Sequence, residues 1–209
     1  MAKQIAAAEK HLRKVDPVMA HLIKRHGPCT LGATRADPFH TLVTSIISQQ
    51  LSTKAASTIA ARVLAAAGTA KYFEAAQFLA TTQEQLRACG LSNAKARWLR
   101  DIAGRVQSET FSFETLVRLD DEAAIEMLDA LPGIGRWSAE MYLIFALDRL
   151  DLFAMDDVGL RRSVNELYGR GRQLSERRTL AITKVWAPYR SVASWYLWRM
   201  VDGDSDAWK

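Results

Sequence analysis

Apolar residues recur along this chain three and four positions apart, as in Leu42, Val43, Ile46, Ile47 and Leu51, or Leu180, Ile182, Val185 and Trp186. That is the period of an α-helix with one face in a core, and no segment alternates for long enough to read as a strand. The expected fold class is therefore all-α. Helix boundaries agree. Asp37-Pro38 supplies an N-cap followed by proline at the first helical position, Gly90 ends the helix before Leu91, and Ser175 opens a late helix without a full capping box. The pattern predicts roughly ten helices, with no long linker and no low-complexity tract.

One interruption of this pattern carries chemistry. In Leu131-Pro132-Gly133-Ile134-Gly135-Arg136-Trp137-Ser138-Ala139, two glycines flank one apolar residue and a helix starts at once. Pro132 pre-sets the entry dihedral, and the glycines permit positive φ and close backbone approach. The first amides of the helix, from about Gly135 to Trp137, have no intrahelical partner and lie at the positive end of its dipole, which suits a phosphate. This is the pattern of a helix-hairpin-helix, which grips a nucleic-acid backbone without reading bases. A weaker echo, Cys89-Gly90-Leu91-Ser92-Asn93-Ala94-Lys95-Ala96, is either a second phosphate contact through Lys95 or an ordinary helix end followed by a solvated helix.

Composition narrows the options. With 209 residues, 49% of them hydrophobic, the chain can build one sizeable core or two small helical lobes sharing a cleft. A net charge of +5 favours an anionic partner. Lys54, Lys95, Arg97, Arg136, Arg161 and Arg162 stand near turns and helix starts that would line one cleft. No apolar run has membrane-spanning length, and the start MAKQIAAAEKHLRK has no secretory pattern, so a cytoplasmic, nucleoid-associated protein with no membrane partner is expected. Cys29 and Cys89 lack metal-ligand spacing, which argues against a zinc site, an iron-sulfur cluster or a disulfide framework. His11, His21, His26 and His40 have no ligand spacing, and no P-loop or dinucleotide fingerprint is present.

Past the hairpin, a hydrophobic helix leads to Phe153-Ala154-Met155-Asp156-Asp157-Val158-Gly159-Leu160, with 22 positions between Gly135 and Asp157. Together with PFHTLVTSIISQQLS near 38–52 and APYRSVASWYLW near 187–198, this resembles the helix-hairpin-helix DNA glycosylases, most closely the 3-methyladenine DNA glycosylase II branch. The resemblance spans most of the chain. It implies a helical domain over 37–150, with the hairpin at about 120–149, and a second lobe formed by 1–36 and 151–209. Asp157 would lie at the mouth of the cleft between them. Larger members of the resembled family carry an N-terminal domain for which 209 residues leave no room.

The same resemblance implies residue roles. Asp157 would be the catalytic carboxylate, since a carboxylate beside C1′ stabilises the oxocarbenium character of a breaking N-glycosidic bond and can deprotonate water. Capping of the helix near Val158 is the competing role for Asp156-Asp157; with Asp157 assigned to catalysis, Asp156 keeps capping or support. Trp137 stands where strand-cleaving relatives carry the lysine that forms a Schiff base, so a monofunctional enzyme is implied. Trp137 and Trp198 would wall the base pocket; Phe39, Tyr142, Trp195 and Tyr196 are weaker candidates because aromatics at helical spacing usually belong to a core. Gln49, Gln50 and Leu51 match the pocket wall and the wedge that enters the duplex, although Leu51 also continues an apolar stripe into the core. Leu131, Gly133, Ile134, Gly135, Arg136 and Lys95 would contact DNA. Carbonyls of Asp129, Leu131 and Ile134 would hold a monovalent cation, with no other cofactor.

The expectation is a monomeric glycosylase that excises alkylated bases of the 3-methyladenine and 7-methylguanine type from duplex DNA. A bifunctional glycosylase-lyase for oxidised bases is disfavoured by Trp137 and by the missing cluster cysteines. A non-catalytic DNA-tethering module would leave Asp157 and the tryptophans without a common purpose.

Overall fold

The computed structural model describes residues 1–33, 37–69 and 71–201. These form thirteen α-helices and one 3₁₀ turn, with no strand among the described residues. In chain order the helices are α1 (Ala2–Val15), α2 (Pro17–His26), α3 (Pro38–Ser48), α4 (Thr53–Ala66), α5 (Ala75–Ala80), α6 (Gln83–Ala88) and α7 (Asn93–Gln107), then α8 (Phe113–Arg118), α9 (Asp121–Asp129), α10 (Arg136–Phe145), α11 (Val158–Gly169), α12 (Glu176–Thr183) and α13 (Arg190–Val201). The all-α expectation holds. The helix count exceeds it because α5, α6 and α8 have six residues each, fewer than two turns and too short to display a period. Expected caps appear: the Asp37 carboxylate accepts from His40 N–H, Ser175 Oγ accepts from Arg178 N–H, and Gly90 adopts φ +107° just past α6.

The chain divides into two compact units, residues 1–35 with 143–209 and residues 36–142. The second boundary falls inside α10, so residues 143–150 belong with the unit formed by the two chain ends. Of that unit's expected sequence, 34–36 and 202–209 lie outside the described residues.

In the 36–142 unit, the stripe of α3 buries Leu42, Val43, Ile46 and Ile47, and α3 packs on α4 and α7. The stripe ends there. Leu51 is 40% exposed, because α3 stops at Ser48 and a turn carries the chain off the helical register. Its expected continuation into the core is thereby corrected.

In the unit of the chain ends, α13 packs on α11 and α2, and α1 on α2. One buried carboxylate ties them together. Asp16 caps α2 through Oδ1, which accepts from Val18 N–H at 2.8 Å, while Oδ2 accepts from Tyr168 Oη–H at 2.7 Å and Trp186 Nε1–H at 2.8 Å. Burial, then the carboxylate beside it, raises the Tyr168 phenol far above its ordinary range and keeps it a donor. Asp16→Ala removes a cap worth about 1 kcal/mol and strands two donors at about 1–3 kcal/mol each, so a loss of roughly 3–7 kcal/mol is expected in denaturant unfolding. A loss under about 1 kcal/mol would show that these donors find other partners.

Candidate functional site

The hairpin is built as its residue types require. Asp120 caps α9 by accepting from Ala123 N–H at 2.9 Å, and after Asp129 the chain turns through Leu131–Ile134, where Ile134 N–H donates to the Leu131 carbonyl at 3.2 Å. Pro132 and Gly133 are the central residues of that turn, and Gly133 has φ +82°, the pattern of a type II turn. A Cβ on Gly133 would also stand 2.4 Å from Cε3 of Trp98, so the position needs glycine twice over. Gly135 differs. Its φ is not positive, its carbonyl accepts from Ala139 N–H at the start of α10, and a Cβ there would meet nothing within 4 Å. The two glycines are thus not equivalent, as the sequence pattern suggested: one makes the turn, and the other leaves the helix start open to a ligand.

Leu131 and Ile134 have buried side chains, which leaves their main chain to make any contact outside the protein. Arg136 is held by a bidentate pair with Glu122, at 2.6 and 2.9 Å, and by Glu140 Oε1 at 3.3 Å. Glu122 first, then Glu140, raise its already high pKa further. Two carboxylates therefore offset its charge, a constraint its expected DNA-contact role must contend with. Trp137, in the first turn of α10, is 45% exposed.

Gln49 and Lys95, expected at the pocket wall and at DNA, are engaged within the protein, one at the hairpin and the other at the end of α3. Gln49 Nε2 donates to the Gly133 carbonyl at 2.9 Å. Lys95 Nζ donates to the carbonyls of Ile47 at 2.9 Å and Gln49 at 2.6 Å, satisfying groups at the end of α3 that the helix cannot. Burial lowers the Lys95 pKa. Between these contacts, Ser48–Leu51 forms a tight turn in which Leu51 N–H donates to the Ser48 carbonyl at 3.1 Å and Gln50 adopts φ +60°. A left-handed glutamine costs about 1–2 kcal/mol, and such strain concentrates at functional tips. Gln50 and Leu51 are both exposed at this tip.

Phe39 and Tyr142 go to the core. Phe39 is 6% exposed and meets the ring of Phe78 edge-on at 6.0 Å, and Tyr142 is 3% exposed with its hydroxyl donating to the Pro38 carbonyl at 2.9 Å. Their helical spacing places them on the inward faces of α3 and α10. Tyr196 is likewise fully buried, with its hydroxyl donating to Glu9 and to the Gly27 carbonyl.

Asp157 and Trp198 come together. Asp157 is buried and is itself the N-cap of α11: its Oδ1 accepts from Leu160 N–H at 2.7 Å and from Trp198 Nε1–H at 3.0 Å. The capping role expected of Asp156 thus belongs to Asp157, because the helix starts at Val158 and only the residue before it can reach the third amide. Trp198 is 3% exposed and packs on Phe145 with ring centroids 5.5 Å apart, so it offers the carboxylate a donor rather than offering a base an open face. Gly159 completes the group. A Cβ on it would lie 3.2 Å from Asp157 Oδ1 and 3.4 Å from Trp198 Cδ1, so only glycine leaves the pair undisturbed.

A hairpin with an open helix start, followed by a buried aspartate capping the next helix, is matched by a family model for HhH-GPD superfamily base excision DNA repair proteins over residues 43–188. The chain belongs to the HhH-GPD superfamily. The alkylbase DNA glycosidase-like protein mag2 of Schizosaccharomyces pombe is 32% identical over 196 residues, covering 92% of each chain. Among solved HhH-GPD structures, a DNA-3-methyladenine glycosidase from Bacillus halodurans superposes with TM-score 0.80 at 37% identity, over 97% of this chain and 89% of that one. The Schizosaccharomyces pombe 3-methyladenine DNA glycosylase Mag1, in complex with abasic DNA, also gives TM-score 0.80, at 32% identity over 94% of this chain and 97% of that one.

Trp98, Gly159 and the Glu122–Arg136 pair were not singled out from the sequence. The glycine after Asp157 was visible in Asp156-Asp157-Val158-Gly159, but its reason lies in Trp198, far along the chain. Among the described residues no group of His, Cys, Asp or Glu could hold a metal ion, and no helix is long and apolar enough to cross a membrane. Cys29 is buried, and burial pushes its thiol up to about 12, so it is an inert packing group.

Proposed function

We propose that this protein is a monofunctional DNA glycosylase that removes alkylated bases of the 3-methyladenine and 7-methylguanine type from duplex DNA. The observation that carries the proposal is Asp157: a buried carboxylate, oriented by two N–H donors, 22 residues past a phosphate-gripping turn. Relatives named for 3-methyladenine release support the choice of substrate.

The chemistry follows from charge. When an alkylated purine leaves, the C1′–N bond breaks with both electrons going to the base, which cancels the positive charge that alkylation gave it. The sugar is left as an oxocarbenium ion, and the carboxylate of Asp157 stabilises it. Water then adds to C1′ and gives up a proton to the carboxylate, leaving an abasic site. No general acid is required, because the leaving base is already cationic. The hairpin amides hold the backbone, and the Gln50–Leu51 tip fills the space the base vacates. Trp137 supplies an aromatic face but no amine, so no Schiff base forms.

The carbonyls of Asp129, at the end of α9, and of Leu131 and Ile134, in the turn after it, suit a hard monovalent cation, although the Leu131 carbonyl already accepts one N–H bond. Such an ion would place positive charge beside a DNA phosphate. The reading has the enzyme working as a monomer at the nucleoid of the cytoplasm, with net charge +5 favouring its polyanionic partner.

Incubation with methylated duplex DNA should release free 3-methyladenine or 7-methylguanine, identified by chromatography. Strands should break only after alkali or heat, and borohydride should trap no covalent adduct. Efficient trapping would establish the lyase reading, and duplex binding with no base release would establish the tethering one.

A further inference from the structure

Arg161 and Arg162, expected from the sequence only to line a cleft, have no task in the proposed reaction. The exposed face of α11 and the turn at 170–173 bound a groove of about 590 Å³, lined by Val158, Arg161, Arg162, Asn165, Glu166 and Gln173 among others. Arg161 and Arg162 are the cations that line it, and Glu166 is the one carboxylate among its lining residues. Four arginines elsewhere are held in ion pairs: Arg136 with Glu122, Arg105 with Asp101, Arg118 with Glu114 and Arg190 with Asp151. Among the described residues Arg161, Arg162, Arg170 and Arg172 form no ion pair, and all four are exposed. Arg161 and Arg162, side by side in the groove, repel one another, and a polyanion relieves that repulsion. A guanidinium fork also matches phosphate oxygens two at a time.

Position selects the polyanion. Asp157 caps α11 and Val158, the next residue, already lines the groove. With a rise of about 1.5 Å per residue, Arg161 and Arg162 stand roughly 6–8 Å along the helix axis from the carboxylate. A DNA strand carries a phosphate about every 3.4 Å of its axis, so a sugar held at Asp157 brings its neighbouring phosphates to these two side chains. Val158, 79% exposed, offers an apolar surface to a deoxyribose on the way. Asn165 Oδ1 accepts from Leu174 N–H at 2.8 Å and fixes the far wall, and Glu166, a turn beyond Arg162, leaves the end nearest Asp157 the positive one.

We propose that the groove between α11 and the 170–173 turn binds the backbone phosphates flanking the nucleotide under attack, as a second grip on DNA built from Arg161 and Arg162. The proposal rests on the glycosylase reading, because that reading is what brings a DNA strand to Asp157.

The test uses the full chain and a duplex containing a stable abasic-site analogue, with affinity measured by fluorescence anisotropy across a salt series. Each phosphate contact removed lowers the slope of log K against log salt by about 0.9. Arg161→Ala/Arg162→Ala should therefore lower it by roughly 1 to 2 and weaken binding about 10-fold or more at 0.1 M salt, with an unchanged melting temperature. Arg161→Lys/Arg162→Lys should keep the wild-type slope. Arg177→Ala/Arg178→Ala removes the same charge outside the groove and should leave the slope within about 0.3 of wild type, since contact rather than net charge sets it. A wild-type slope in the groove variant, or equal changes in both alanine pairs, would overturn the proposal; should the double variant melt early, Arg161→Gln and Arg162→Gln singly give the same comparison. Failure of the glycosylase reading has its own signature, wild-type protein that releases no base, and the slopes still decide whether the groove binds DNA.

Discussion

Asp157→Asn should reduce single-turnover release of an alkylated base by about 10²- to 10³-fold, the usual cost of removing one preorganised electrostatic contact from a transition state. Asparagine keeps Oδ1, so the bonds from Leu160 N–H and Trp198 Nε1–H at 2.7 and 3.0 Å persist, and asparagine is as good an N-cap as aspartate. Fold and DNA binding should be retained, with binding equal to or tighter than that of the parent. Trp198→Phe keeps an aromatic side chain but removes the donor with its five-membered ring; losing one bond to a charged group, about 1.5 kcal/mol, predicts at least a roughly 10-fold slower release. Wild-type excision by Asp157→Asn would sink the assignment, and a fall in stability rather than rate would return Asp157 to a purely capping role.

The second large effect belongs to the hairpin, where the two glycines separate folding from binding. Gly133→Leu meets both a φ of +82° and the ring of Trp98 at 2.4 Å, and it disturbs the carbonyl that Gln49 holds. The variant should melt at lower temperature and bind every duplex weakly. Gly135→Leu meets no protein atom within 4 Å of the new Cβ, so it should melt close to the parent, yet its side chain occupies the space through which a phosphate reaches the helix start. Binding should fall alike for damaged and undamaged duplexes, because backbone contacts position without specifying. Affinity and thermal melting of both variants check this. A loss confined to one lesion type would mean that the turn reads the base.

What was legible in the sequence was local. Helical period, the caps at Asp37 and Ser175, and the Pro132-Gly133 turn are set by residues within a few positions of one another, and all appear in the structure. The role proposed for Asp157 came from its distance from Gly135, a regularity of the resembled family rather than of any local pattern. Misreadings arose where long-range contacts decide. Lys95 looks like a phosphate ligand until α3 ends beside it, 46 residues away, and Gln49 looks like a pocket wall until Gly133 presents a carbonyl, 84 residues away. Helical spacing says that Phe39 and Tyr142 share an inward face but not whether that face meets a core or a ligand. Leu51 left its stripe because one tight turn outweighs a pattern that assumes the helix goes on.

The central claim is that a single carboxylate suffices because the leaving base supplies its own positive charge. It is tested most directly by single-turnover release of 7-methylguanine and of hypoxanthine from duplexes of otherwise identical sequence, with enzyme in excess. The account predicts that the cationic base leaves far faster, by much more than the factor of about 2 to 30 that a cation over an aromatic ring, about 0.5–2 kcal/mol, could supply. Equal rates would contradict it, since a neutral purine can leave that fast only if the protein protonates it.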